Sequence, residues 1–413
     1  MSVKLFRNCR IYTPVDPGRP AGGKAQGNIR QFLHGALLVE NGSISMIGEE
    51  DEILAATRKD IDQEINCQSK CMIPGFVDPH THMCFAARRE SEFEMRIDET
   101  PYLDILKQGG GILSSVKAVA AATENDLYEN CLKHALTALS FGTTTLEIKS
   151  GYGLDTENEL KMLQAIDRTA TSSPQDVVAT FLGAHAIPEK FKKNSDGFIN
   201  HIIDEMLPAV HKQDIARYCD IFCEEGVFTI EQGRRLLQAA KKLGMGVKIH
   251  ADEVHDLGGA GLAAELGAIS ADHLLAASDE NILKMSRSGV VANLLPATAY
   301  SLKKPYARAR LMIDSDLPVA LATDCNPGSS YTESMPFIIG LAVLNMNMSP
   351  AEALTASTLN SAYAVGMAKS RGSLEPGKLA DFLLLDGESP SILAYHAGVN
   401  PVVQVYKRGE QVV

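Results

Sequence analysis

The chain carries the stretch FVDPHTH at residues 76–82, in which a short apolar run ends at two histidines. In a β-strand, residues i and i+2 point to the same side, so His80 and His82 would both aim at one point beyond the strand end. Two imidazoles that converge in this way are suited to holding a divalent metal ion. The stretch therefore predicts a metal site at the end of a buried strand.

Two further strand-like segments supply residues that would complete such a site. His250 follows the segment 247–249, and Asp324 follows the segment 320–323. Three imidazoles and one carboxylate form a ligand set that fits Zn²⁺ or Fe²⁺. A single histidine of this kind is often an ordinary buried side chain. The prediction therefore depends on the shared position of all four residues at strand ends.

From residue 73 onward, short apolar segments alternate with segments of helical periodicity. Eight strands are predicted near residues 75–82, 142–148, 178–184, 219–224, 246–250, 269–273, 290–294 and 318–323, and helices at 124–139, 155–169, 229–243 and 256–266. This order predicts an α/β fold, a (β/α)₈ TIM-type barrel, over residues 68–367. A doubly wound open sheet is the alternative, but polar residues at many strand ends favour the closed barrel.

Both ends of the chain are predicted to form short strands, at residues 4–12, 34–48, 380–385 and 402–413. Asn41-Gly42 between two apolar runs predicts a hairpin turn. Neither end is long enough to form a core alone. Residues 1–67 and 368–413 are therefore predicted to build one small β-sandwich domain together. The segment 14–31, rich in Gly and Pro, is predicted to be an exposed loop.

The composition argues against several classes of protein. A net charge of −12 over 413 residues argues against a nucleic-acid surface. We find no apolar run of 18 residues and no signal peptide, so no membrane partner is expected. The eight cysteines do not have the spacing of a disulfide scaffold. They are typical of buried free thiols, which predicts a cytoplasmic protein.

The polar residues at the strand ends resemble those of the amidohydrolase superfamily. Within it, the chain is similar to the imidazolonepropionase family along nearly its whole length. The similarity rests on Arg89-Glu90, Glu92-Phe93, GGGI at 109–112, EIKSGYGL at 147–154, FLGAH at 181–185, HADE at 250–253, SADHL at 270–274 and ATDCNPGSS at 322–330. The stretch 83–87 departs from the family pattern, which leaves Arg88 and Arg89 as alternatives for one position; Arg89 is favoured.

The resemblance implies hydrolysis of the cyclic amide 4-imidazolone-5-propanoate to N-formimidoyl-L-glutamate in histidine degradation. It implies one divalent or trivalent metal per subunit, zinc or iron, on His80, His82, His250 and Asp324. Dinuclear relatives carry a bridging lysine at the end of strand four, and the sequence FCEE at 222–225 has none. A homodimer is also implied.

The resemblance also implies roles for other residues at the strand ends. The expected catalytic residues are Glu253, His273 and Asp324. The expected substrate-binding residues are Arg89, Tyr102, Tyr152, His185, Glu253, Asn326, Gly328 and Ser329. For Glu147 and Lys149, a structural ion pair is the alternative to a role in the chemistry.

Two other functions stay open at this point. A deaminase of the same superfamily would use the same ligands to attack an exocyclic amine carbon and would release ammonia. By resemblance, Arg89 and the run 149–154 favour a ring substrate that carries a carboxylate instead. A non-enzymatic relative that acts as a scaffold would have lost its metal ligands, whereas this chain retains them.

Overall fold

The computed structural model describes residues 2–98 and 110–413. The strands in these ranges are β1 (Val3–Pro14), β2 (Ile29–Glu40), β3 (Ser43–Glu49), β4 (Gln63–Asn66), β5 (Cys71–Pro74), β6 (Phe76–Asp78), β7 (Thr143–Lys149), β8 (Asp176–Ala184), β9 (Tyr218–Cys223), β10 (Gly246–Ala251), β11 (Ser270–His273), β12 (Val291–Leu294), β13 (Val319–Leu321), β14 (Phe382–Leu385), β15 (Val402–Lys407) and β16 (Glu410–Gln411). They form two eight-stranded sheets.

One sheet is a parallel barrel whose strands follow one another in chain order from β6 to β13. The segments that follow β6 and β13 are joined by backbone hydrogen bonds, which bring the two edges of the sheet together. Asp324 N donates to His80 O over 3.1 Å, and His82 N donates to Cys325 O over 2.9 Å. The strands are apolar and buried, as expected when helices cover the outer face of a parallel sheet. The predicted TIM-type barrel and all eight predicted strands are confirmed.

Helices connect the barrel strands and form its outer layer. In the described residues the α-helices are Glu50–Ala56, Glu90–Ile97, Ile112–Ala121, Glu124–Ser140, Thr156–Ser172, Ser195–His201, Leu207–Gln213, Ile230–Lys242, Gly259–Leu266, Asp279–Ser288, Pro296–Ser301, Ala309–Asp314, Met335–Asn345, Pro350–Ser357, Leu359–Ala364 and Ile392–Tyr395. Capping boxes at Thr123, Thr229 and Ser349 fix three of the helix starts. None of the helices in the described part of the chain is both long and apolar enough to cross a membrane.

Helix 256–266 was predicted to begin three residues before its observed start at Gly259. The cause is the buried carboxylate of Asp252. It accepts hydrogen bonds from the backbone N–H groups of residues 257–260, so these residues form a turn around it. Side chains of this kind compete with the helix for backbone donors.

The second sheet has the order β16-β15-β14-β5-β1-β2-β3, with β4 also paired to β1, and so contains strands from both chain ends. Its core includes Phe6, Phe382 and Tyr406, whose rings pack with centroid separations of 4.5–5.2 Å. The predicted small β domain is confirmed. Strand β5 pairs in this sheet although it lies beyond residue 67, so the exact boundary of the domain stays a prediction.

The segment 14–31 is exposed only in part, at residues 17–19, 24–25, 27–28 and 30–31. Ala21 and Gln26 are buried, and the Gln26 side chain exchanges hydrogen bonds with the backbone of Val319 at the bottom of the barrel. Gly22 allows this contact, because a Cβ there would lie 2.2 Å from the carbonyl oxygen of Asp316. All eight cysteines are free and buried, as predicted.

Candidate active site

The four predicted metal ligands converge at the carboxyl end of the barrel. Nε2 of His82 lies 3.1 Å from Nε2 of His80 and 3.3 Å from Nε2 of His250. Oδ1 of Asp324 lies 3.5 Å from Nε2 of His80 and 3.6 Å from Nε2 of His82. For metal–ligand bonds of about 2.1 Å, ligands in a tetrahedral site are separated by roughly 3.4 Å. The donor atoms of His80, His82 and Asp324 lie within 4.8 Å of one another, and His250 adjoins them through His82, so these four residues form a candidate ligand cluster for one cation.

Two buried carboxylates orient the imidazoles from behind. Oδ2 of Asp272 lies 2.5 Å from Nδ1 of His80, and Oδ2 of Asp220 lies 3.0 Å from Nδ1 of His250. Asp272 takes the proton side of His80, which leaves Nε2 of that ring with a free lone pair toward the ligand cluster. Burial lowers the pKa of His250, but the charge of Asp220 outweighs burial and raises it above its ordinary value. Burial and the charge of Lys149 hold the pKa of His80 well below its ordinary value, so its ring is neutral. Neutral, oriented imidazoles are what a metal requires.

Lys149 joins these carboxylates below the ligand cluster. Its Nζ lies 2.8 Å from Oε1 of Glu147, 2.9 Å from Oδ2 of Asp220 and 3.7 Å from Oδ2 of Asp272. The structural ion pair between Glu147 and Lys149 is thus present and belongs to a larger buried network. Lys248 adds a second ammonium, 3.3 Å from the same oxygen of Glu147. This network fixes strands of the barrel relative to one another beneath the ligands.

A cavity of about 270 Å³ opens above the ligand cluster. Its wall brings together most of the predicted site residues: His82, Arg89, Tyr152, His185, His250, Glu253, His273, Asp324, Asn326, Gly328 and Ser329. His80 is fully buried and does not line the cavity itself, but its Nε2 lies beside Nε2 of His82, which does. Tyr102 lies outside the described residues. The cavity has the ligand cluster at one end and the guanidinium of Arg89 at another part of its wall.

Three acid–base groups lie at the metal end of this cavity. Nε2 of His273 is 3.8 Å from Oε2 of Glu253, and Thr298 donates a hydrogen bond from Oγ1 to Oδ2 of Asp324. Burial raises the pKa of Asp324 to about 6. Asp324 and His273 both have positive φ, 55° and 78°, as strained residues at functional sites often do. The arrangement allows proton transfer near a ligated water.

His185 and Tyr152 form an aromatic wall beside the ligands. The ring of His185 stacks on that of His82 with a centroid distance of 4.9 Å, and its Nδ1 donates to the carbonyl of Gly151 over 3.1 Å. Burial lowers the pKa of His185 to about 3, so the ring is neutral. Its Nε2 is therefore a hydrogen-bond acceptor for a ring N–H in the cavity.

The turn that carries Tyr152 is built around one buried carboxylate. Glu159 accepts hydrogen bonds from the backbone N–H groups of Gly151, Gly153 and Leu154. A Cβ on Gly153 would lie 2.5 Å from the backbone N of Glu159, so only glycine fits there. Gly153 thus serves the close approach of the turn to Glu159, whereas Gly151 has a positive φ of 108° and packs against His185 and Leu182.

The loop 326–330 holds itself in place through one side chain. The amide of Asn326 donates to Asp324 O over 2.7 Å and to Ser329 Oγ over 3.1 Å, and its oxygen accepts from the N–H groups of Gly328 and Ser329. These bonds use both amide hydrogens of Asn326. The loop is consequently rigid and presents Gly328 and Ser329 to the cavity.

Arg89 is partly engaged by another side chain. Glu92 accepts from Nε of Arg89 over 2.8 Å and from Nη2 over 2.5 Å. The remaining nitrogen, Nη1, faces Gly328, where a Cβ would approach it to 2.5 Å. One side of the guanidinium thus stays directed at the cavity.

Several residues of this site were not predicted from the sequence. Asp220 and Glu159 received no role, and Asp272 entered only as part of the motif SADHL at 270–274. The role of Asp220 could have been predicted from the sequence. It lies inside the apolar strand YCDIFC at 218–223, and a carboxylate buried in such a strand has to be paired. Arg96 was missed as well, although it lines the same cavity.

Comparison with known proteins identifies the family to which the chain belongs. Residues 71–412 match the Amidohydrolase family. The chain belongs to that family. It is 66% identical over 413 residues to the imidazolonepropionase of Desulfotalea psychrophila, with 100% of both chains covered. It is 59% identical over 409 residues to the imidazolonepropionase of Syntrophobacter fumaroxidans, covering 99% of this chain and 96% of the relative. Within the amidohydrolases it is therefore a member of the imidazolonepropionase family, as its motifs predicted.

Solved structures of more distant relatives share the fold. A 5-methylcytosine deaminase from Klebsiella pneumoniae, liganded with 5-fluorocytosine, superposes with a TM-score of 0.75 at 18% identity over 99% of this chain and 97% of that one. An adenosine deaminase from Xanthomonas campestris with bound zinc gives a TM-score of 0.70 at 17% identity, covering 99% of this chain and 92% of that one. At such identities the likeness concerns the fold alone.

Proposed function

We propose that the chain hydrolyses 4-imidazolone-5-propanoate to N-formimidoyl-L-glutamate, using one zinc or iron ion held by His80, His82, His250 and Asp324. The observation that carries the proposal is the full-length 66% identity to an imidazolonepropionase, in a chain whose cavity joins this ligand cluster to a guanidinium. The proposed substrate has groups that suit both parts of this cavity. Its ring carries the amide to be opened, and its tail carries a carboxylate.

The reaction adds one water across the ring amide. The oxygen of water bonds to the carbonyl carbon, the C–N bond of the ring breaks, and the released nitrogen takes a proton. The carbonyl carbon becomes a carboxylate, and no ammonia is formed. The bound metal ion would supply acidity, since it lowers the pKa of a ligated water from about 15.7 toward neutrality.

The positions of the side chains suggest which of them transfer protons and which bind the substrate. Asp324, His273 and Glu253 lie together at the metal end and would take the water proton and return one to the ring nitrogen. An N–H donor of His273 beside the carbonyl oxygen would also stabilise negative charge there. His185 Nε2 would accept from a ring N–H, and the free side of Arg89 would bind the carboxylate of the tail.

The experiment follows the ultraviolet absorbance of freshly generated 4-imidazolone-5-propanoate with and without the purified protein. Metal-depleted protein, the same protein reloaded with Zn²⁺ or Fe²⁺, and His80→Ala are compared with the spontaneous decay. We expect acceleration only by metal-loaded wild type. No acceleration by protein that holds one metal per chain would overturn the proposed substrate. Comparison of the two reloaded forms also identifies the metal that supports turnover better.

We further propose that the protein is a homodimer of the cytoplasm. The resemblance to its family suggests the dimer, and eight free, buried cysteines are typical of a reducing compartment. Light scattering of the purified chain tests the first point: a mass near twice 44.5 kDa is expected, and a mass near 44.5 kDa would contradict it. Fractionation of the source cells tests the second.

A further inference from the structure

Arg96 brings a second guanidinium to the cavity that Arg89 lines. The two residues belong to one element, since Arg89 precedes the helix Glu90–Ile97 and Arg96 lies in its last turn. Their side chains approach Gly328 from different directions. Nη2 of Arg96 donates to the carbonyl oxygen of Gly328 over 2.8 Å, while Nη1 of Arg89 lies where a Cβ of Gly328 would be. Gly328 thus separates two cations.

Among the described residues, the carboxylate nearest to the two guanidiniums is committed to Arg89. Glu92 is the carboxylate that pairs with Arg89, and it also accepts from Gly111 N and Ser114 Oγ, so its oxygens are occupied. Arg96 forms no ion pair with any described residue.

Arg96 also has an unused donor. Its Nε is buried and has no hydrogen-bond partner among the described residues. Burial, together with the neighbouring charge of Arg89, lowers the pKa of Arg96 below its ordinary value. An anion in the cavity would satisfy the free donor and relieve the repulsion between the two guanidiniums. A buried donor without a partner is destabilising, so an anion that accepts from it would be bound more tightly.

We propose that Arg96 is a second binding residue for the carboxylate of the substrate, which would lie between the guanidiniums of Arg96 and Arg89. The inference rests on the proposed function and assigns to Arg96 a role in selecting substrates with an anionic tail. A carboxylate has two oxygens with several lone pairs and so can accept from both side chains at once. The competing explanation is purely structural: Arg96 would only hold the carbonyl of Gly328.

The test measures how binding depends on the charge of the tail. Metal-loaded protein is titrated calorimetrically with imidazole-4-propanoate and with imidazole-4-propanamide, which share a ring and differ in that charge. Wild type is compared with Arg96→Gln, which keeps a donor for Gly328 but removes the charge. Arg88→Gln is the matched control, because Arg88 is exposed, lies over the ring of Tyr331 at 5.8 Å and does not line this cavity.

We expect Arg96→Gln to weaken binding of the propanoate about 10- to 100-fold, the range for hydrogen bonds to charged groups, and to leave the propanamide unchanged. With 4-imidazolone-5-propanoate, KM should rise while kcat changes little, because the carboxylate is bound equally before and during the reaction. Arg88→Gln should change neither. Equal weakening of both ligands, or of neither, would overturn the inference. If Arg96→Gln does not fold, Arg96→Met serves with the same expected and contrary results.

The outcomes separate this inference from the proposed function. Wild type that does not open the imidazolone ring contradicts the proposed function, and the role of Arg96 with it. Wild type that opens the ring, with an Arg96→Gln variant of equal KM, contradicts only the role of Arg96.

Discussion

Oδ2 of Asp272 lies 2.5 Å from Nδ1 of His80, although the two residues are 192 positions apart in the chain. The parallel barrel produces this contact, since β11 delivers Asp272 beside the imidazole that follows β6. A carboxylate in this position fixes the orientation of the ring and raises its basicity as a ligand. The proposed metal site therefore depends on residues that would not touch the metal themselves.

Asp272→Asn is expected to lower the affinity for Zn²⁺ about 10- to 100-fold, because the amide no longer fixes the proton of His80 on Nδ1. Competition between the protein and a chelator of known affinity measures the change. Asp252→Asn is the control: Asp252 is buried nearby, but it binds backbone N–H groups and no histidine. Equal losses in both variants would show that a general loosening of the barrel end is responsible.

Lys149→Met is expected to lower the free energy of unfolding of the metal-free protein by about 3–5 kcal/mol. The substitution would leave the fully buried carboxylates of Glu147 and Asp220 without their shared cation. Urea unfolding measures the difference. Lys284→Met, which removes an exposed pair with Glu280, should change stability by less than about 0.5 kcal/mol. A Lys149→Met protein as stable as wild type would contradict the account of the network.

Asp176→Asn tests the contact between the barrel and the small β domain. Asp176 Oδ2 lies 2.6 Å from both Arg371 Nη2 and Lys407 Nζ. Burial opposes its ionisation, but the hydrogen bond from Arg371 and the charge of Lys407 outweigh burial and hold the pKa of Asp176 below its ordinary value. A lowered pKa in the folded state stabilises the protein above the unfolded-state pKa, about 3.9, and this stability is lost as the pH falls.

The variant should therefore be less stable than wild type by about 2–3 kcal/mol at pH 7, somewhat under the range for a fully buried pair. The difference should begin to shrink below about pH 4, where Asp176 of the unfolded chain becomes protonated, and should vanish only below the lower pKa that Asp176 has in the folded protein. Urea unfolding at a series of pH values measures it. Glu189→Gln, which breaks an exposed pair with Lys192, provides the baseline. A difference that is constant from pH 7 to pH 3 would argue against an ionic contribution.

Gly328→Ala tests whether Arg89 needs its present position. The backbone of Gly328 is not left-handed, so alanine meets no backbone strain there, but its Cβ would lie 2.5 Å from Arg89 Nη1. The guanidinium would have to move, and KM for the imidazolone should rise about tenfold through a weakened ionic hydrogen bond. Gly340→Ala is the control: its Cβ would lie 4.0 Å from the nearest atom, the carbonyl oxygen of Leu393, so KM should be unchanged. If KM is unaltered in Gly328→Ala, the proposal that Arg89 binds the substrate is contradicted.

The sequence was sufficient to predict the fold and the ligand cluster. Parallel strands buried on both faces give short apolar runs, and the runs before His82, His250 and Asp324 were therefore recognisable. Because the carboxyl ends of all strands in a barrel lie on one face, residues at those ends had to meet. Motifs between strands then identified the family.

Other contacts could not be predicted, because they depend on register between strands distant in sequence. Asp220 reaches His250 only because β9 and β10 are neighbours with His250 opposite Phe222. The burial of Ala21 depends on the bottom of the barrel, which local Gly and Pro content does not describe. Arg96 follows Arg89 by seven positions, and only the tertiary fold shows that both reach one cavity.

The most direct test of the central claim uses metal-loaded protein and 4-imidazolone-5-propanoate in water enriched in ¹⁸O. Mass spectrometry identifies the product, and an ammonia assay runs in parallel. We predict N-formimidoyl-L-glutamate with one ¹⁸O in the new carboxylate and no ammonia, at a rate abolished in His80→Ala. Release of ammonia in step with substrate loss, or an unlabelled product, would contradict ring opening by a metal-activated water.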